Sequence, residues 1–224
     1  NKIKLDIKDY ILKNNLGNNI IIMEWMSQTS LFDFCIKEID YNILTSTNEG
    51  LSSICLEMMK IGIVGLGLMG GSFALDLKSV NSGLKIFGHD NSVKNSEKAL
   101  KIGFIDKSID LLKLSDMDVV VVAVPVDVSL NLVWKILDIV KDDSIVFDVG
   151  STKSPICSFL KNHSRRKNFL ACHPMAGTEF SGPEAAITGL YLNKTNIICE
   201  ANKTSAKLLK KALDIFNKLK MKSV

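Results

Sequence analysis

Three stretches of this sequence combine residue types and spacings that do chemistry. They are Gly65-Leu66-Gly67-Leu68-Met69-Gly70, "FDVGSTK" (Phe147 to Lys153) and "LACHPMAGTEFSG" (Leu170 to Gly182). The first is a GxGxxG directly after an apolar run and opening a helical pattern. In that context the first glycine makes a tight turn, the second lets backbone approach a pyrophosphate, and the third lets helix and strand pack closely. The pyrophosphate would rest on the N–H groups at the helix N-terminus. Asp90 follows Gly70 by 20 residues, at the end of a second strand pattern. A carboxylate there accepts hydrogen bonds from the adenosine ribose hydroxyls and repels a 2′-phosphate, which favours NAD over NADP. Lys94, close by, works against that preference. Val124 and Pro125 close a further strand at its carboxyl end, where backbone lines the crevice of an open α/β sheet; packing alone also explains them.

The other two stretches are strand ends, where the loops of such a sheet collect reacting groups. Ser151 has two compatible readings: an N-cap for the helix that follows, and a contact for a nicotinamide or substrate at that helix end. His173 also has two, a strand-end histidine bonded to backbone or a general base. Pro174 restricts His173 to extended geometry and so fixes its direction. An imidazole can take a proton from an alcohol as hydride leaves. Of the three histidines, His89 belongs at the adenosine end and His163 fits a helix C-terminus. His173 is therefore the only base candidate among them.

These groups need a frame, and the pattern from Lys60 onward supplies one. "KIGIV", "LKIFGHD", "DVVVVAVP", "DSIVFDVGS", "KNFLACHP" and "TNIICE" read as strands. Helical patterns separate most of them, including "SVKNSEKALKIG", which ends at the candidate cap Gly103, and "TKSPICSFLKNH", with Pro155 in its first turn. "DVVVVAVP" is apolar throughout, as a strand covered on both faces requires. This alternation predicts an α/β, doubly wound, mostly parallel sheet of Rossmann type. A closing helix over Lys203–Leu219 is expected to bury Ala206, Leu209, Ala212, Phe216 and Leu219, with its lysines solvated.

Composition bounds the rest. The hydrophobic fraction is 46% and the charged fraction 23%, as in a globular domain with a core. No apolar run reaches about 18 residues, so no membrane-spanning helix is expected. The five cysteines form no CxxC pair, which favours reduced cytoplasmic thiols over disulfides or a metal site. Residues 1–58 hold 5 lysines against 8 acidic residues, leaving 23 basic and 16 acidic residues on the remainder. With few aromatics and only Arg165 and Arg166 as arginines, that excess reads as steering of anionic small molecules, not as nucleic-acid binding. Residues 1–58 lack the β–α register and stand apart as a segment of unknown role, either an unrelated upstream piece or an N-terminal module. They show no signal-peptide pattern. The domain is expected over residues 59–224. The chain starts at Asn1 and ends in "KLKMKSV", which resembles the start of another strand, so both ends read as cut.

"KIGIVGLGLMGGS", "DVGSTK" and above all "HPMAGTEFSGPEAA" resemble the nucleotide-binding domain of the prephenate and arogenate dehydrogenase family, over about three quarters of the chain. The resemblance implies NAD-dependent oxidative decarboxylation of prephenate to 4-hydroxyphenylpyruvate, in cytoplasmic tyrosine biosynthesis. His173 would match the catalytic histidine that deprotonates the 4-hydroxyl. Ser151 would lie near the nicotinamide and that hydroxyl, and Glu179 would shape or gate substrate access. It also implies a helical C-terminal domain that forms a homodimer and carries an arginine for the ring carboxylate. That domain would be missing here, so NAD binding with little turnover is expected. A β-hydroxyacid dehydrogenase and a non-catalytic nucleotide-binding remnant are the competing readings.

Overall fold

The structure is a computed structural model, and it describes residues 59–224; what was expected of residues 1–58 lies outside them. The described residues form one eight-stranded sheet in the order β3-β2-β1-β4-β5-β6-β7-β8. Its strands are β1 (Lys60–Val64), β2 (Lys85–His89), β3 (Lys107–Ser108), β4 (Val119–Val122), β5 (Ile145–Asp148), β6 (Phe169–Pro174), β7 (Thr195–Cys199) and β8 (Lys222–Ser223). Strands β1 to β6 pair in parallel; β7 runs antiparallel to β6, and β8 parallel to β7. The helices are α1 (Leu68–Val80), α2 (Val93–Ile102), α3 (Val126–Ile139), α4 (Ser154–Leu160) and α5 (Ala206–Lys218). The expected Rossmann-type sheet is therefore present. The two-residue β3 was not legible, because so short a strand carries no periodicity.

The all-valine β4 shows why the sheet is covered on both faces. Val119 and Val121 join one core cluster, with Phe73, Phe147 and Phe216, while Val120 and Val122 join the other, with Val133, Ile136 and Ile156. Side chains alternate across a strand, so a strand buried on both faces has no place for a polar residue. On the first face Phe73, Phe147, Tyr191 and Phe216 meet edge to face at centroid distances of 5.1–5.7 Å. Such pairs each add about 0.5–1.5 kcal/mol beyond area burial.

Two local expectations need correction. The buried face of α5 is Leu208, Ala212, Ile215 and Phe216, and Ala206 is exposed in the first turn. The helix starts later than its pattern suggested, because Ser205 caps it by accepting from the Leu208 N–H. Ser151 does not cap α4. The N-cap position belongs to Lys153, with no side-chain cap, and the Ser151 side chain is exposed. The turn before α4 is closed instead by Asp148, as described below.

Candidate functional site: a dinucleotide cradle and a histidine loop

Strands β1 and β4 are neighbours, while the helices that follow them run to opposite sides, so a crevice opens at their carboxyl ends. The glycine turn fills its floor. Gly65 has φ +90°, and a Cβ there would lie 2.5 Å from the Ala123 carbonyl oxygen. A Cβ on Gly70 would lie 2.0 Å from the Gly65 carbonyl oxygen, so the third glycine is what lets α1 start against β1. Gly67 differs: a Cβ there meets only the Gly182 nitrogen, at 4.0 Å. Two glycines thus answer to protein sterics, and the middle one faces open space. Helix α1 has no side-chain N-cap, which leaves the first-turn N–H groups of Leu68, Met69 and Gly70 to a ligand.

Asp90 stands just past β2. One carboxylate oxygen accepts from the Leu66 N–H at 2.8 Å, and the other from the Ser92 N–H at 2.9 Å and the Asn95 side-chain amide at 3.2 Å. These bonds hold the carboxylate beside the glycine turn and leave lone pairs for ribose hydroxyls. Asp90 and His89 line a depression of about 550 Å³ with Val93, Ser96 and Ile109. The His89 ring is bonded to the Ile109 carbonyl at 2.9 Å. Val124 and Pro125 follow β4, and Val124 lies 3.0 Å from a Cβ placed on Gly65. The donors, the acceptor and the open middle glycine fit a bound dinucleotide.

His173 sits in β6 opposite Ile197 of β7. It opens a shallow depression of about 450 Å³ lined by Pro174 to Thr178 and by Lys194. Among the described residues, nothing hydrogen-bonds its ring. That removes the backbone-bonded reading of this histidine and leaves its nitrogens available. Glu179 is exposed in the loop that follows, beside the exposed Phe180. Cys172, the preceding residue, is buried in the core and its thiol is pushed up by that burial, so it is no nucleophile.

Sequence reasoning left two residues of "FDVGSTK" without a role. The Lys153 ammonium, 8% exposed, pairs with the Asp148 carboxylate, which is 3% exposed, and donates to the Cys172 carbonyl at 2.8 Å. Asp148 also accepts from the Gly150 N–H at 3.2 Å and the Cys172 N–H at 3.4 Å. Burial pushes the Asp148 carboxyl up, and the ammonium beside it opposes that shift. An acid and a lysine five residues apart across a turn were the available signal.

The loop that starts at His173 returns to the cradle. Beyond Gly182, Glu184 pairs with Lys98 of α2, the Ile187 N–H donates to the Ser72 hydroxyl at 3.0 Å, and the Gly189 and Tyr191 N–H groups donate to the Asp76 carboxylate. Ser72 and Asp76 belong to α1, so the far end of this segment is tied to the helix that follows the glycine turn.

Neither arginine faces this crevice. Arg165 bonds the Val140 carbonyl and lies 3.4 Å from Asp142, while Arg166 bonds the Phe169 carbonyl and Glu200. His163 is buried after α4, with Nε2 3.2 Å from Asp138 and its ring edge-on to Trp134. No helix among the described residues is long and apolar enough to cross a membrane.

A family model described as "Prephenate dehydrogenase, nucleotide-binding domain" matches residues 73–224. Prephenate dehydrogenase of Lactococcus lactis subsp. cremoris is 37% identical over 158 residues, covering 68% of this chain and 44% of that protein. The chain thus spans less than half the length of that relative. The crystal structure of prephenate dehydrogenase from Aquifex aeolicus in complex with hydroxyphenyl propionate and NAD+ is 34% identical, with a TM-score of 0.68 over 75% of this chain and 58% of that one. Synechocystis arogenate dehydrogenase is 28% identical, with a TM-score of 0.68 over 74% and 59%.

Proposed function

This chain belongs to the prephenate dehydrogenase family through its nucleotide-binding domain, and on that premise we propose that it serves NAD-dependent oxidative decarboxylation of prephenate to 4-hydroxyphenylpyruvate. One observation carries the reading. The loop that leaves His173 passes the dinucleotide cradle at Gly182, whose nitrogen lies 4.0 Å from where a Gly67 side chain would start, and this supports a histidine that works beside the bound cofactor.

The bound nicotinamide would accept the hydride. Gly65, Leu66, Gly67, Leu68, Met69 and Gly70 would hold the pyrophosphate, with Val124 and Pro125 lining the crevice beside them. Asp90 takes the adenosine ribose hydroxyls. Its carboxylate repels a 2′-phosphate, and this supports NAD over NADP. His173 hydrogen-bonds the substrate 4-hydroxyl and removes its proton as the carbon beneath loses hydride. Ser151, exposed on the turn after the neighbouring strand β5, would bond the same hydroxyl. Glu179 shapes substrate entry. Loss of the ring carboxylate as CO2 follows from aromatisation.

The assembled protein is a cytoplasmic homodimer in this reading, with the contact for the ring carboxylate lying outside the described residues. The chain's two arginines support that, since both are bound to backbone and acids elsewhere. Arogenate is the second candidate substrate, favoured by the likeness to the Synechocystis enzyme.

The test follows NADH formation from prephenate and from arogenate by the protein encoded by the full reading frame around this chain, beside its His173→Asn variant. We expect activity with at least one substrate, a preference for NAD over NADP, and loss of about 10²–10⁴ in kcat for the variant. An inert parent, or a variant as active as the parent, would end the catalytic assignment.

A further inference from the structure

The bonds at the ends of β5 and β6 point to Lys153 as a positioning residue, and we propose that its contacts with Asp148 and the Cys172 carbonyl hold His173 and Ser151 in one fixed arrangement. The inference rests on the reading of His173 as the base. Both reacting candidates come from separate loops, and separate loops wander unless something joins them. Here the join is a closed set of bonds. Asp148 ends β5, and one of its oxygens gathers Gly150 N–H and Lys153 Nζ, closing the turn that carries Ser151 between them. Its other oxygen accepts the Cys172 N–H, and Lys153 returns to the Cys172 carbonyl.

Cys172 is thus held at both its N–H and its C=O, on the residue before His173. Pro174 restricts His173 from the other side. With β7 pairing at Ile197, the Cα–Cβ direction of His173 is fixed on every side while its ring stays unbonded. That is the arrangement a base needs: a held backbone and free nitrogens.

The cost of this device argues that it has a purpose. Burying an ammonium and a carboxylate desolvates both, and well-packed apolar residues of similar volume are often as stabilising or more so. A core needing only packing has no use for the pair. A turn and a strand that must keep one mutual orientation do, because the two charges fix direction as well as distance.

The test compares the parent chain with Lys153→Met and with the doubly neutral Asp148→Asn/Lys153→Met, which leaves no uncompensated buried charge. Three histidines make imidazole NMR simple to assign. We expect the His173 ring signals to shift and broaden in the double variant while those of His89 and His163 stay in place, with unchanged circular dichroism. In the full-length enzyme kcat should fall about a hundredfold, as a misplacement near 1 Å does, with KM nearly constant. Unmoved His173 signals in the folded double variant overturn the proposal, as do equal changes at all three histidines. The NMR readout needs no turnover, so an enzyme inert toward both substrates would end the functional reading and leave this inference still decidable.

Discussion

The Tyr191 phenol donates to the Met69 carbonyl at 2.9 Å, joining residues 122 positions apart. Met69 lies in the glycine turn, and Tyr191 lies at the far end of the segment that leaves His173. The bond therefore ties the candidate substrate loop to the first turn of the cofactor helix. The Tyr191 ring is buried against Phe73 at 5.2 Å, so its hydroxyl has no water to turn to.

Tyr191→Phe keeps the ring and removes only this donor. We expect it to cost about 1 kcal/mol in urea unfolding, the usual net contribution of one intramolecular hydrogen bond. Calorimetric titration with NADH should show weaker binding through a looser first turn of α1. Stability equal to the parent would mean the bond contributes nothing.

Gly67→Ala and Gly70→Ala separate ligand sterics from protein sterics. A methyl at Gly70 meets the Gly65 carbonyl at 2.0 Å and forces backbone to move, costing about 1–3 kcal/mol or more of stability. A methyl at Gly67 meets nothing nearer than 4.0 Å, and its φ of −84° suits alanine. Gly67→Ala should therefore fold as well as the parent, or better by up to about 1 kcal/mol. It should nevertheless bind NADH at least about tenfold more weakly, a loss of about 1.4 kcal/mol. Undiminished binding would remove the pyrophosphate from this position.

Asp76 predicts a pH dependence. Burial pushes its carboxyl above the ordinary range, against the pull of the Gly189 and Tyr191 N–H groups. The folded state then holds the proton more tightly than the unfolded chain. That contribution to stability is full below the ordinary carboxylate value and is lost as pH rises through the folded-state value. Asp76→Asn cannot titrate, so the parent's stability relative to this variant should decline as pH rises from below the ordinary carboxylate value through the raised folded-state value. Urea midpoints across that range provide the measurement, and a constant difference would contradict the burial argument.

Much of the frame was legible because it is written in local patterns. The run "DVVVVAVP" announced a strand covered on both faces, and β4 is buried at all four residues. "SVKNSEKALKIG" announced its C-terminal cap, and the Gly103 N–H returns to the Ala99 carbonyl; the N-cap Ser92, which accepts from the Asn95 N–H, was a finding of the structure. Ser151 illustrates the limit. Its sequence position suits an N-cap, yet the turn closes on Asp148 because a buried ion pair with Lys153 outcompetes a lone hydroxyl.

By itself the sequence determined the alternation of strands and helices, the glycine turn that opens α1, and the histidine–proline strand end. Each depends on neighbours a few residues away, where backbone sterics and periodicity decide. Only the tertiary structure decided that β7 runs antiparallel, that Lys153 reaches Cys172, and that Asp76 and Met69 hold the segment leaving His173. Those bonds span 19 to 122 residues. A buried carboxylate or carbonyl takes whichever donor packing brings to it, and no local pattern names that donor in advance.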